Sequence, residues 1–246
     1  MGLSVSFPSR CRSQSESRAK VAVPVFNAQK VPSSARSLEV RQRMAPLLVR
    51  DLTATGMNYG APVFIRIFKE ERELELWVEK GGKFECFRTY RIAAMSGSLG
   101  PKLKEGDGQA PEGFYFVRPS QMNPTSDYHL SFNLGYPNAY DSAHGRNGSA
   151  LMVHGSWVSV GCYAMTDSKI EEIFTLADAA LRKGQPFFRV HCFPFRMTDE
   201  NMTGHADSEW IDFWKNLKQG YDAFEKTKKV PNVAVKGKVY QVEAAQ

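Results

Sequence analysis

A two-residue side-chain period in the middle of the chain restricts its fold more than any other feature. In residues 63–68 and 74–78, aliphatic side chains occupy every second position, which is the repeat of a β-strand. The pair Gly81-Gly82 then marks a hairpin turn, after which residues 84–92 predict a third strand. Further short strands are predicted at 114–117, 128–134, 149–153 and 187–193. The body of the chain is therefore predicted to be mainly β.

Helices are predicted on either side of these strands. A capping-box pattern, Ser168-x-x-Glu171, precedes apolar residues at helical spacing. Residues 207–224 carry an aromatic stripe at the same spacing, which we interpret as a face packed on the core. A further helix is predicted over 37–55, although Pro46 inside it is unfavourable.

Shifts in composition divide the chain into four parts. Residues 1–36 are rich in Ser and Arg and predict a disordered arm, and residues 37–60 form a helical lead-in. Residues 61–202 are predicted to form the main domain, and residues 203–246 a helix and a tail that pack on it, with one edge strand in the tail. The sequence shows no secretory signal pattern.

Charge and cysteine spacing exclude several classes of protein. Residues 1–50 contain nine Lys/Arg and two Asp/Glu, a net +7, and the rest contain 23 and 24, a net −1. A nucleic-acid-binding fold carries its basic residues on the folded surface, so nucleic acid is not an expected partner. No apolar run approaches the roughly 18 residues of a membrane span. No C-x-x-C pair suggests a zinc ribbon, and the four cysteines are widely scattered: Cys11, Cys86, Cys162 and Cys192.

Residues 152–167, MVHGSWVSVGCYAMTD, contain a candidate nucleophile and base. A cysteine nucleophile needs a base, backbone N–H donors for the developing oxyanion, and room for a substrate carbonyl. His154 is the candidate base for Cys162, and we expect it to lower the pKa of that thiol. Gly161 leaves room for the carbonyl because it has no Cβ. The N–H groups of Cys162 and Tyr163 are the candidate oxyanion donors.

A structural interpretation of the same residues stays open at this point. A lone cysteine is most often a buried and inert side chain, and a lone histidine at a strand end is most often only hydrogen-bonded. Cys86 and Cys192 lie in predicted strands and are interpreted in this way. His144, in a glycine-rich loop, is a rival to His154, but His154 leads directly into the cysteine turn and is preferred.

These residues resemble the active-site signature of the L,D-transpeptidases, the YkuD-type family. The signature corresponds here to His154-Gly155 followed by Ser159-Val160-Gly161-Cys162. The likeness extends to the murein L,D-transpeptidase branch of the YafK type, through segments in the same order at 67–78, 99–115, 135–146, 153–167 and 193–202.

The resemblance implies a YkuD-type, sandwich-like β domain with flanking α-helices, in which residues 61–202 are catalytic. It implies that Cys162 is the nucleophile, that His154 is the general base and acid, and that the Gly155 carbonyl orients the imidazole. No metal or organic cofactor is implied. The implied partners are peptidoglycan stem peptides and a wall-linked lipoprotein, in the periplasm or cell envelope. The implied oxyanion and substrate-binding residues are Gly161, Tyr163, Ser159 and Trp157.

Two departures from the family pattern bear on the acceptor. Most members have a histidine and an arginine at the positions of Val160 and Ala164, and loss of the arginine removes a cation that could hold a substrate carboxylate. Tyr163 and Trp157 would give the site aromatic walls instead. We therefore expect the thioester at Cys162, formed with a meso-diaminopimelate-containing stem peptide, to pass to water and release a wall-linked lipoprotein. The alternatives are formation of 3-3 crosslinks or lipoprotein attachment through the same thioester, and a non-catalytic wall-binding module.

Overall fold

The computed structural model describes residues 31–243, so most of the predicted arm, and Cys11 with it, lies outside the described residues. The helices are α1 (Ala35–Ala54), α2 (Ala139–Ala143), α3 (Asp167–Arg182), α4 (Asp199–Gly204) and α5 (Ile211–Thr227). The strands are β1 (Val63–Phe68), β2 (Glu73–Lys80), β3 (Lys83–Arg91), β4 (Gly113–Val117), β5 (Met122–Asn123), β6 (Ser131–Asn133), β7 (Met152–His154), β8 (Tyr163–Ala164), β9 (Phe188–Phe193), β10 (Asn232–Lys236) and β11 (Val239–Glu243). Between residues 31 and 243, no helix has the length and apolar character needed to cross a bilayer.

The predicted antiparallel strands form one side of a five-stranded sheet in the order β3-β2-β1-β9-β4. Gly81 and Gly82 both have positive φ in the β2–β3 turn, as a two-residue hairpin of this kind requires. The late strand β9 enters the sheet parallel to β1 and antiparallel to β4. Sheets with flanking helices confirm the predicted fold class.

A second sheet, in the order β5-β6-β7-β8, has one face in the core. Phe132, Val153 and Tyr163 lie in register across β6, β7 and β8, and all three are fully buried. Helix α3 packs on β6 and β7 as well as on β1. Because successive residues of a strand point to opposite faces, the residues next to these three in sequence lie on the other face of the sheet.

The start of α3 differs from the predicted capping box. Its N-cap is Thr166, at φ 77, and not Ser168. The Glu171 carboxylate accepts a hydrogen bond from Arg43 at 2.7 Å instead of capping the helix. The Thr166 N–H donates to the Ser156 carbonyl at 2.8 Å, so the helix start is tied to the loop that follows β7.

The C-terminal tail forms a hairpin, and the prediction of a single edge strand is wrong. β10 and β11 pair in antiparallel fashion. Gly237 and Lys238, both at positive φ, reverse the chain between them. Asn216 of α5 bonds to both the N–H and the carbonyl of Tyr240, which fixes the hairpin on the helix.

Candidate active site

His154 ends β7, and a backbone carbonyl fixes the orientation of its imidazole. Its Nδ1 lies 2.6 Å from the Gly155 oxygen. A carbonyl oxygen can only accept, so Nδ1 carries the hydrogen and Nε2 is left as a proton acceptor. The ring of Tyr128 lies against the imidazole at a centroid distance of 4.6 Å. Burial lowers the pKa of His154, and the bond to Gly155 opposes this in part; the imidazole is therefore mainly neutral at pH 7.

Gly155 is required by the packing around this histidine. A Cβ at this position would lie 2.6 Å from Oδ1 of Asp167 and 2.7 Å from the carbonyl oxygen of Tyr128. The same Asp167 oxygen accepts the Ser156 N–H at 2.7 Å. Any larger residue would therefore displace the carbonyl that holds the imidazole.

Cys162 lies directly before β8, beside β7 and on the same face as His154. The parallel register pairs His154 with Ala164, so Cys162, two residues earlier, lies beside Met152. Residues two apart along a strand share a face. The strand pairing thus brings the predicted nucleophile and base to one surface of the four-stranded sheet.

The Cys162 thiol is directed at backbone groups rather than at the imidazole. Its sulfur donates to the Ala150 carbonyl at 3.4 Å and accepts the Met152 N–H at 3.4 Å. Thiol and imidazole share no hydrogen bond in the described part of the chain. Burial raises the pKa of Cys162, although the Met152 N–H and the Lys102 ammonium lower it. The expected lowering of this pKa by His154 is therefore wrong for this conformation, because burial outweighs the groups that lower the pKa and the imidazole is not bonded to the thiol.

The turn before Cys162 is closed by hydrogen bonds. Gly161, at φ 85, donates its N–H to Oγ of Ser96 at 2.7 Å. Ser159 Oγ donates to the Cys162 carbonyl at 2.7 Å. The Gly161 N–H is thus already used, and the parallel pairing of Tyr163 with Val153 commits the Tyr163 N–H to the strand ladder. Tyr163 as a predicted oxyanion donor is therefore wrong, and the Cys162 N–H stays a candidate.

The two predicted aromatic walls differ in their positions. Tyr163 is fully buried and its hydroxyl donates to the Pro111 carbonyl at 2.7 Å, so its side chain is no wall of the site, and that part of the expectation is wrong. The alternation along β8 turns Tyr163 to the core and Cys162 away from it. Trp157 is 71% exposed on the loop before the cysteine and stays a candidate substrate contact. Ala164 is fully buried, which leaves no room there for the arginine of the family pattern that the sequence resembles.

Sequence reasoning missed Tyr128, Ser96 and a groove beside the thiol. The groove has a volume of about 940 Å³, and Ala150 and Met152, the two backbone contacts of the thiol, are among its lining residues. Tyr128 and Ser96 are far from the cysteine in sequence, and neither belongs to a motif. Their roles arise from strand and loop contacts that no local pattern encodes.

We expect alkylation of Cys162 by iodoacetamide to be slow near pH 7. A raised pKa leaves little thiolate at neutral pH, so the rate should increase through a pKa above the ordinary thiol value of about 8.5. The measurement is the rate of modification against pH, with the modified peptide identified by mass spectrometry and Cys162→Ala as the blank. A half-maximal rate below pH 7 would instead show a resting thiolate–imidazolium pair.

A family model and a curated relative indicate the same family. The model of the YkuD L,D-transpeptidase catalytic domain matches residues 62–191. A protein of Escherichia coli strain K12 named "Putative L,D-transpeptidase YafK" is 52% identical over 176 residues, which is 72% of each chain. Among solved structures, the helical cell shape determining protein Pgp2 (K307A mutant) from Campylobacter jejuni has a TM-score of 0.45 at 20% identity, over 66% of this chain and 56% of that one. Bd1075 from Bdellovibrio bacteriovorus has a TM-score of 0.38 at 19% identity, over 66% and 60%.

Proposed function

The chain belongs to the L,D-transpeptidase (YkuD) catalytic domain family, a family of peptidoglycan-modifying enzymes, and we propose that it acts through a thioester on Cys162. The observation that carries this proposal is the common face of Cys162 and His154. The His154 Nε2 is free to take a proton because Nδ1 is committed to the Gly155 carbonyl. The acyl donor is a stem peptide that contains meso-diaminopimelate, bound in the groove beside the thiol.

The reaction begins from a neutral thiol and a neutral imidazole. The thiol leaves the Ala150 carbonyl and turns to His154, whose Nε2 takes its proton as the sulfur attacks the peptide carbonyl. The Cys162 N–H stabilises the oxyanion. The imidazolium then gives its proton to the departing amine, the C–N bond breaks, and a thioester remains. Attack by an acceptor, deprotonated by the same imidazole, releases the product and restores the thiol.

Water is the acceptor that we propose, which makes the reaction amidase-type release of a wall-linked lipoprotein. An amine must be held close to the thioester to compete with water. The position that carries an arginine in most members is the buried Ala164 here, and Trp157 in the adjoining loop is exposed. The lack of a cation at this position favours hydrolysis over formation of 3-3 crosslinks. We propose the periplasm or cell envelope as the place of action.

Muropeptide analysis by mass spectrometry tests the acceptor. Lipoprotein-linked and plain muropeptides are incubated separately with the enzyme, each with and without a diaminopimelate-containing acceptor, and Cys162→Ala is the control. We expect release of the lysine-terminated lipoprotein peptide and no 3-3 dimers. Formation of 3-3 dimers without release of the lipoprotein peptide would show transpeptidation instead of hydrolysis. Wall binding with no product from either substrate would favour the non-catalytic module.

A further inference from the structure

The groove beside the thiol continues the catalytic face of the four-stranded sheet. Asn133 in β6 lies directly opposite Met152, the neighbour of Cys162. Residues opposite each other in a sheet share a face. Met152 and Asn133 both line the groove, so a peptide bound at the thiol can extend across the strands along its floor.

The residues that pair with His154 across the sheet also reach the outer strand, β5. Ser131 in β6 pairs with His154 on one side and with Asn123 of β5 on the other. Asn123 also lines the groove, and so does Arg118, which lies just before the short helical turn at 119–121 that leads into β5. The far end of the groove is therefore built from residues on and next to β5.

The charge on the described lining of the groove is a single positive one. Among the described residues that line the groove, Arg118 is the single charged one and none carries a carboxylate. Its guanidinium lies 4.5 Å from the ring centroid of Phe116 and forms no ion pair with any residue between 31 and 243. Such a stacked, unpaired guanidinium keeps its planar fork available for a carboxylate.

Two amide side chains add neutral donors to this cation. Asn123 Oδ1 accepts the Thr125 N–H at 3.1 Å, and Asn133 Oδ1 accepts the Gly135 N–H at 2.7 Å. These bonds fix which way each amide points and turn Nδ2 to the other side. Neither Nδ2 has an acceptor among the residues that the structure describes.

We propose that Arg118, with the Nδ2 groups of Asn123 and Asn133, binds a free carboxylate of the donor peptide and so selects an acidic peptide. The proposal rests on the proposed function and names the substrate chemistry of the same site. Arg118 would supply, from the segment between β4 and β5, the cation that is absent at the buried Ala164. Three strand spacings, roughly 14 Å, separate β8 from β5. The arginine side chain spans part of this distance. The carboxylate would thus lie no more than about four extended residues from the attacked carbonyl.

Binding to a protein that cannot turn over separates this subsite from the reaction. The probe is a fluorescein-labelled synthetic stem tetrapeptide containing meso-diaminopimelate, together with copies in which each carboxylate in turn is a primary amide. Dissociation constants are measured by fluorescence anisotropy with Cys162→Ala, alone and combined with Arg118→Gln. The matched control is Arg91→Gln, an exposed arginine on the outer strand β3 of the other sheet.

We expect one amide copy to bind roughly 10- to 100-fold more weakly than the free tetrapeptide, the range for a hydrogen bond to a charged group. Arg118→Gln should weaken the free tetrapeptide by a similar factor and abolish its preference over that copy, whereas Arg91→Gln should change neither. Equal effects of the two arginine variants, or a preference that survives Arg118→Gln, would overturn the subsite. Turnover that persists in Cys162→Ala would overturn the proposed function instead, whatever the binding shows.

Discussion

Replacing His154 by alanine should lower kcat by roughly 10³-fold, within the range for loss of a general acid–base group. Burial raises the pKa of the Cys162 thiol, so sulfur cannot attack at neutral pH unless a base removes its proton. His154 is the base that the strand register supplies. Without it, the residual rate should rise with pH as the thiol ionises unaided. The measurement is kcat on muropeptides by liquid chromatography, from pH 5 to about pH 10.

His144 provides the matched control for this prediction. It was the rival in the sequence, and its ring stacks on Tyr140 at 4.3 Å while Nε2 lies 2.8 Å from the Lys238 carbonyl. His144→Ala should therefore leave kcat within about threefold of the parent, as for a residue outside the reacting atoms. A large loss in His144→Ala, or near-normal turnover in His154→Ala, would contradict the assignment of the base.

Replacing Glu112 by alanine should destabilise the protein by about 3–5 kcal/mol, the cost of leaving a buried charge without its partner. Glu112 forms a 3.0 Å ion pair with Lys69, and both side chains are at most 1% exposed. It also accepts the Gly100 N–H at 2.7 Å and Nε1 of Trp214 at 2.8 Å. Removing it therefore leaves the Lys69 charge unpaired and the Gly100 N–H and the Trp214 Nε1–H without an acceptor in the interior.

Urea unfolding measures this loss, with Asp222→Ala as the control. Asp222 pairs with Lys218 on the outside of α5, where an exposed pair contributes at most about 1 kcal/mol. Glu112 precedes β4 and ends the segment whose Gln109 carbonyl lies against Gly161, so we also expect Glu112→Ala to lower activity. Equal unfolding free energies for the two variants would show that the buried pair is not required for stability.

Local patterns in the sequence predicted the elements that have a clear period. The strands at 63–68 and 74–78, the turn at Gly81-Gly82 and the amphipathic helix α3 all have such a signal, and all are present. The closeness of His154 and Cys162 could also be anticipated, because a strand end and the following turn place them only a few residues apart in the sequence. The predicted N-cap of α3 was wrong. The hydrogen bond from the Thr166 N–H to the Ser156 carbonyl fixes the helix start before Ser168.

The electrostatics and the far end of the groove depend on contacts that are distant in sequence. The pKa of Cys162 is set by burial, which raises it, and by the Met152 N–H and the Lys102 ammonium, which lower it, and the motif does not show the net result. Arg118 precedes Cys162 by more than 40 residues and reaches the same groove only through the register of β5, β6 and β7. The burial of Tyr163, in contrast, could have been predicted locally. Alternation along a strand through residues 162–164 places its ring in the core.

The most direct test of the central claim is the intact mass of the enzyme during turnover. The protein is mixed with the stem tetrapeptide, quenched in acid, which preserves thioesters, and digested to locate any adduct. We predict a mass increase equal to the acyl part of the donor, located on the peptide that contains Cys162 and absent from Cys162→Ala, which should also be inactive. Turnover by Cys162→Ala, or an acyl adduct on a different residue, would contradict the thioester mechanism.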